Sequence, residues 1–115
     1  LPVVKAYPDG LSQALLNIML NSIQAMPSGG ALDVQVYSDE PSNVKIVVSD
    51  TGQGIAPELL PDIFNPFFTT KAPGEGTGLG LALAHAAVQR DGGHIDVESA
   101  VGQGTRFTIW LPAQV

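Results

Sequence analysis

The sequence predicts an α/β fold: a two-layer sandwich whose mixed, mostly antiparallel sheet carries helices on one face. Three observations predict it. Residues 11–26 and 79–90 repeat apolar side chains at helical spacing. Residues 32–36, 44–48, 94–99 and 105–111 are rich in β-branched side chains or alternate apolar with polar ones, as strands do. Clusters of Gly and Pro punctuate the chain between these segments.

Each element follows in order. Residues 1–7 are apolar and short, a strand or its tail, and Pro8-Asp9-Gly10 breaks them, with Asp9 as a helix N-cap. Leu11, Ala14, Leu15, Ile18, Met19, Ile23 and Met26 form the apolar side of the first helix, which Pro27-Ser28-Gly29-Gly30 stops. Leu32, Val34 and Val36 alternate with polar residues in a strand. After a turn at 40–43, residues 44–48 run as a second strand into Asp50. Residues 56–60 suit one helical turn, and 65–77 lack periodicity and form a loop. The second helix, 79–90, ends at Gly92-Gly93, and the last two strands are joined by Val101-Gly102-Gln103-Gly104.

Bulk properties bound the function. The 115 residues make one domain, 1–115, large enough for a core. There is no cysteine, which excludes disulfides and thiolate zinc sites and fits a reducing compartment, so a cytoplasmic location is expected. No apolar run approaches a membrane span, and no membrane contact is expected. The formal net charge of −6 disfavours a nucleic-acid partner.

Three features carry chemistry. Gln13, Asn17, Asn21 and Gln24 fall within an arc of about 80° on the first helix. A solvated face is the alternative reading, but such faces carry Lys, Glu and Arg, and residues 11–26 contain none. An amide oxygen suits magnesium, a hard cation that takes one or two protein oxygens beside phosphate and water. Second, Asp50-Thr51-Gly52-Gln53-Gly54 follows a strand. The carboxylate can accept from an exocyclic amine, and the glycines let backbone approach a flat ring; a tight turn with an Asp cap is the alternative. Third, Gly76-Thr77-Gly78-Leu79-Gly80-Leu81 leads into the second helix, whose free N–H groups can bind phosphate. No Lys-Ser/Thr pair makes it a P-loop, and no strand precedes it as a dinucleotide site requires. Between the last two features, Phe64, Phe67 and Phe68 anchor a loop carrying Lys71, one of five basic residues.

In this order, the features resemble the catalytic ATP-binding domain of sensor histidine kinases, a member of the superfamily shared with DNA gyrase, Hsp90 and MutL. Residues 15–26 look like its N box, 50–55 its first glycine box, 64–71 its F box and 76–81 its second glycine box. Residues 102–107 resemble its closing strand motif, so the resemblance spans nearly the whole chain. It implies the Bergerat-type ATP-binding fold with ATP and Mg2+ as ligands. It implies that Asn21 coordinates the metal and Asn17 contacts the phosphate and metal region. Asp50 would accept from the adenine amine, with Gly52, Gly54 and Ile55 beside it and Thr105 supporting the site. Gly76, Thr77, Gly78, Leu79 and Gly80 would lie against the phosphates, and residues 65–77 would be the ATP lid.

Two departures bear on the reaction. Gyrase, Hsp90 and MutL relatives carry a water-activating Glu where this chain has Asn17, and an amide is no base. That favours phosphoryl transfer over hydrolysis. Many histidine kinases carry a basic residue where this chain has Gln24, which leaves Lys71 as the phosphate cation. The Phe67–Lys71 and Asn21–Met26 runs look most like the nitrogen-regulator type. His85 and His94 lack the neighbouring acid of a phosphoacceptor and read as packed residues. The resemblance therefore implies a helical dimerisation and phosphoacceptor domain before Leu1, a chain that is a fragment, and a response regulator as indirect partner. The rival readings are a stand-alone serine kinase of the anti-sigma type and a non-catalytic nucleotide-binding interaction module.

Overall fold

The computed structural model describes residues 8–39, 43–66, 68 and 80–112. The strand expected at 1–7 lies outside them, as does most of the expected lid. Helix α1 spans Pro8–Gln24, β1 Leu32–Asp39, β2 Asn43–Asp50, α2 Gly80–Arg90, β3 His94–Ala100 and β4 Gly104–Pro112. The sheet order is β1-β2-β4-β3, and every pairing is antiparallel. The α/β sandwich is thus as expected, with its described strands all antiparallel.

Boundaries differ where local chemistry allows more than one start. Helix α1 begins at Pro8, where a missing N–H removes no helical bond, so Asp9 sits in the first turn and does not cap it. Strand β1 runs three residues beyond Val36 because β2 offers partners as far as Asn43. The helical turn expected at 56–60 is a hydrogen-bonded turn, with the Leu59 N–H donating to the Ala56 carbonyl at 2.9 Å, and a 3-10 turn follows it at Leu60–Asp62. Helix α2 closes where the N–H groups of Gly92 and Gly93 donate to the carbonyls of Gln89 (3.0 Å) and Val88 (3.0 Å), satisfying its last turn.

Alternation decides which face of the sheet is buried. Ile46 and Val48 of β2, Ile95 of β3, and Phe107, Ile109 and Leu111 of β4 meet Ala14 and Ile18 of α1 and Ala84 and Val88 of α2. Among the described residues, the other face has no helix. There the cross-strand row Tyr37, Lys45, Trp110 and His94 spans all four strands. Lys45 lies over the rings of Tyr37 (5.1 Å) and Trp110 (5.7 Å), and His94 stacks on Trp110 at 4.6 Å. Val34 and Val36, opposite the buried Val48 and Ile46, point toward the helix side but stay 44% and 46% exposed on edge strand β1.

Phe107 is fully buried and meets Phe64 edge-on at 6.3 Å, linking the sheet to the segment before the expected lid. Phe107→Ala is expected to cost about 3–5 kcal/mol of unfolding free energy. Urea denaturation followed by circular dichroism measures this, and a loss below about 1 kcal/mol would place the core elsewhere.

Candidate functional site

The site forms where α1 ends, β2 ends and α2 begins. Asp50 closes β2 and is only 6% exposed. Its Oδ1 accepts the backbone N–H of Gly52 at 2.8 Å and that of Thr105 at 3.3 Å. Thr105 stands opposite Asp50 in the β2–β4 register, so sheet pairing itself aims a backbone donor at this carboxylate. Its Oδ2 is buried and has no hydrogen-bond partner. A buried carboxylate oxygen left so is costly, and it has an acceptor to offer a water, an ion or a ligand.

The turn after Asp50 is clamped on three sides. The Gln53 N–H donates to the Ala25 carbonyl at 3.1 Å, just past α1. Thr51 Oγ1 accepts from the Ala31 N–H at 3.0 Å. The Gly102 N–H donates to the Gln53 carbonyl at 2.8 Å. A Cβ on Gly52 would stand 2.5 Å from the Ala25 carbonyl oxygen and 2.9 Å from Asp50 Oδ1. Gly54 has φ +76°, and a Cβ there would overlap the Ala100 carbonyl. The chain's own close approaches are thus sufficient reason for both glycines.

Ser99 completes this end of the site, and the sequence reading passed over it. Its Oγ accepts the Ile55 N–H at 2.7 Å and donates to the Gly104 carbonyl at 3.0 Å. The Thr105 hydroxyl lies 2.8 Å from the same oxygen, and with the Ser99 proton already committed, Thr105 is the donor. The signal was available: Ile95 and Val97 alternate inward on β3, and Ser99 is the next inward position, a polar residue in an apolar series.

The amide arc is divided by depth. Gln13 and Gln24 are exposed, while Asn17 and Asn21 are half-buried. Gln13 Nε2 donates to Asn17 Oδ1 at 3.0 Å, and Asn17 Nδ2 donates to the Gly80 carbonyl at 3.2 Å. Asn17 therefore ties α1 to the first residue of α2. No described residue hydrogen-bonds the Asn21 side chain, so its amide oxygen is available to a cation. Among the described residues no three His, Cys, Asp or Glu side chains cluster as a metal site. The amide oxygen of Asn21 fits magnesium, which needs few protein ligands when phosphates supply the rest.

Asn17, Asn21, Asp50, Gly52, Gly54, Ile55, Gly80 and Thr105 are all described: Asn17 midway along α1, Asn21 in its last turn, Asp50 at the end of β2 with Gly52, Gly54 and Ile55 in the turn after it, and Gly80 and Thr105 at the starts of α2 and β4. Lys71, Gly76, Thr77, Gly78 and Leu79 lie outside the described residues, as does the expected lid apart from Asn65, Pro66 and Phe68. His85 is half-buried and stacks on Phe64 at 5.0 Å, a packed residue as expected, whereas His94 stacks on Trp110 at 4.6 Å yet stays exposed, because it opens β3 on the face away from the core.

Residues 6–115 match the family described as histidine kinase-, DNA gyrase B-, and HSP90-like ATPase. The chain belongs to that family. This ATPase domain is 51% identical over 115 residues to the sensor histidine kinase ZraS of Escherichia coli O157:H7, covering all of this chain and 24% of ZraS. The chain thus spans about a quarter of that relative. Among solved structures, the domain superposes on the mycobacterial sensor histidine kinase MprB with a TM-score of 0.86 at 33% identity, over 96% of this chain and 77% of that one. It also superposes on full-length ShkA in complex with AMPPNP with a TM-score of 0.86 at 31% identity, over all of this chain and 24% of that one. The domain is an ATP-binding domain of the histidine-kinase type, and no helix among its described residues is long and apolar enough to cross a membrane.

Gly52→Ala is expected to push the turn off Ala25 and to lower stability by about 1–3 kcal/mol, the range for forced backbone shifts. Thermal melting of the variant measures it, and an unchanged midpoint would show that the turn has room the geometry denies.

Proposed function

We propose that the domain holds ATP with one magnesium ion and presents the γ-phosphate to a histidine on a helical dimerisation and phosphoacceptor domain of the same protein. The observation that carries this reading is Asp50: one oxygen held by the backbone, the other buried and without a partner. That second oxygen suits the exocyclic amine of adenine. Gly52, Gly54 and Ile55 line the base, and Thr105 and Ser99 brace it. Asn21 is the magnesium ligand. Asn17 sets the start of α2, where Gly80 and the preceding Gly76, Thr77, Gly78 and Leu79 receive the phosphates, with Lys71 as their cation. Magnesium held by Asn21 would supply positive charge where negative charge shifts during transfer.

The chemistry follows from what the site lacks. Asn17 cannot activate water, and its amide is engaged between Gln13 and Gly80. Phosphoryl transfer asks the protein for positioning and electrostatics, which these residues can give. The nucleophile and its base then reside on the partner domain. A relative four times as long as this chain, and a full-length neighbour that holds AMPPNP, support that arrangement. A response regulator would take the phosphate onward in two-component signalling, and the domain would work in the cytoplasm, where ATP is supplied.

Two outcomes test the reading. Asp50→Asn is expected to weaken AMPPNP binding by about 1.5–3 kcal/mol in calorimetry, as a charged hydrogen bond becomes a neutral one; undiminished affinity would remove Asp50 from the adenine site. In the second, the chain is incubated with γ-labelled ATP alone and with the phosphoacceptor domain added in trans. Alone it is expected to show neither stable label nor brisk phosphate release. With the partner, weak label should appear on a histidine and be lost in acid, weak because the tether no longer supplies effective concentration. Acid-stable label would identify a serine kinase, and label on this chain would place the acceptor here.

A further inference from the structure

We propose that Gln13 is a positioning residue for the triphosphate: it holds the amide of Asn17 in one orientation, and so fixes the start of α2 against which the phosphates lie. The proposal rests on the ATP reading and deepens it at the phosphate end. Gln13 and Asn17 stand one turn apart on α1, at the spacing where helical side chains meet. Gln13 Nε2 donates to Asn17 Oδ1 at 3.0 Å, and Asn17 Nδ2 donates to the Gly80 carbonyl at 3.2 Å. The last member fixes the direction of this relay. A backbone carbonyl only accepts, so it faces the NH2 of Asn17; the amide oxygen then points at Gln13, where only a donor fits.

The relay does what neither amide does alone. The terminal torsion of an asparagine is broad and nearly two-fold, so the amide can turn over. Turned over, Asn17 would set its oxygen against the Gly80 oxygen, and two acceptors repel. A donor at Gln13 disfavours that state. The carbonyl held in this way belongs to the residue that opens α2. The free N–H groups of that first turn can serve phosphate only in the direction the turn gives them. A Cβ on Gly80 would stand 3.8 Å from Asn17 Cβ, so the two elements meet here with no side chain from α2 between them. The relay also uses Asn17 Oδ1, which leaves Asn21 with the free amide oxygen of the half-buried pair. Gln13 itself is exposed, so filling the core is not its task.

The test removes the donor and little else. Methionine matches glutamine in length, charge and helix propensity, so Gln13→Met is expected to leave the melting point of the nucleotide-free chain unchanged. Calorimetry in magnesium should show AMPPNP bound roughly two- to fivefold more weakly, while adenosine, followed by NMR titration, binds as to the parent. In an Asn17→Ala background the same substitution should cost nothing further, because its route is gone. A readout without nucleotide accompanies these: the side-chain amide protons of Asn17 should shift and exchange faster in Gln13→Met. Unchanged AMPPNP affinity, equal losses for AMPPNP and adenosine, a full loss in the Asn17→Ala background, or unmoved Asn17 amide protons would each overturn the role of Gln13 and leave the ATP reading intact. A parent chain that binds neither nucleotide overturns the ATP reading itself.

Discussion

One oxygen of the Asp50 carboxylate belongs to the fold and the other does not. Oδ1 takes N–H groups from Gly52 and from Thr105, so it is held by the turn and by the neighbouring strand at once. This division sets conditions on the surrounding structure. The β2–β4 register must bring Thr105 opposite Asp50, and a shift by one residue would turn every side chain of β4 to the wrong face. The turn must double back tightly enough for Gly52 to donate, which brings its α-carbon against Ala25. The end of α1, the end of β2 and the start of β4 are consequently fixed relative to one another by a carboxylate that still has an acceptor to offer.

The same economy explains why the second glycine box and the amide helix need each other. Helix α2 contributes a free N-terminus, useful to phosphate only if it points at the nucleotide. Packing of Ala84 and Val88 in the core sets the axis of α2, and Asn17 holds its first carbonyl from α1. A Glu at this position would repel that carbonyl and could not donate to it; asparagine can. The amide of Asn17 thus offers no base to activate water and supplies a strut between the helices.

Periodic elements were legible from sequence because burial is periodic. Residues 11–26 and 79–90 showed their helices, and the four strands appeared within a few residues of their final limits. Ends were less legible, since the start of α1 at Pro8 and the extension of β1 to Asp39 depend on partners that a one-dimensional pattern does not contain. In the site, Asp50 stood out because a carboxylate closing an apolar strand is anomalous. Asn17 and Asn21 stood out because amides replaced charges. Ser99 and Ser22 did not, since a small hydroxyl breaks neither strand alternation nor helical spacing strongly. Only burial and hydrogen-bond partners separate the two, one with every lone pair and proton used, the other with none.

That contrast between the serines bears on how the domain responds to ATP. Ser99 is satisfied by Ile55, Gly104 and Thr105, so its contribution to stability is the same with or without nucleotide. Ser22 Oγ and Asp50 Oδ2, buried without partners, lower the stability of the free domain. A ligand that satisfies such an atom recovers, through that contact, a cost already present in the free state. The cost sits where α1 meets β2, and α1 is also the helix that holds the start of α2 through Asn17. Under the proposed ATP reading, base recognition and phosphate placement thus share one helix, α1.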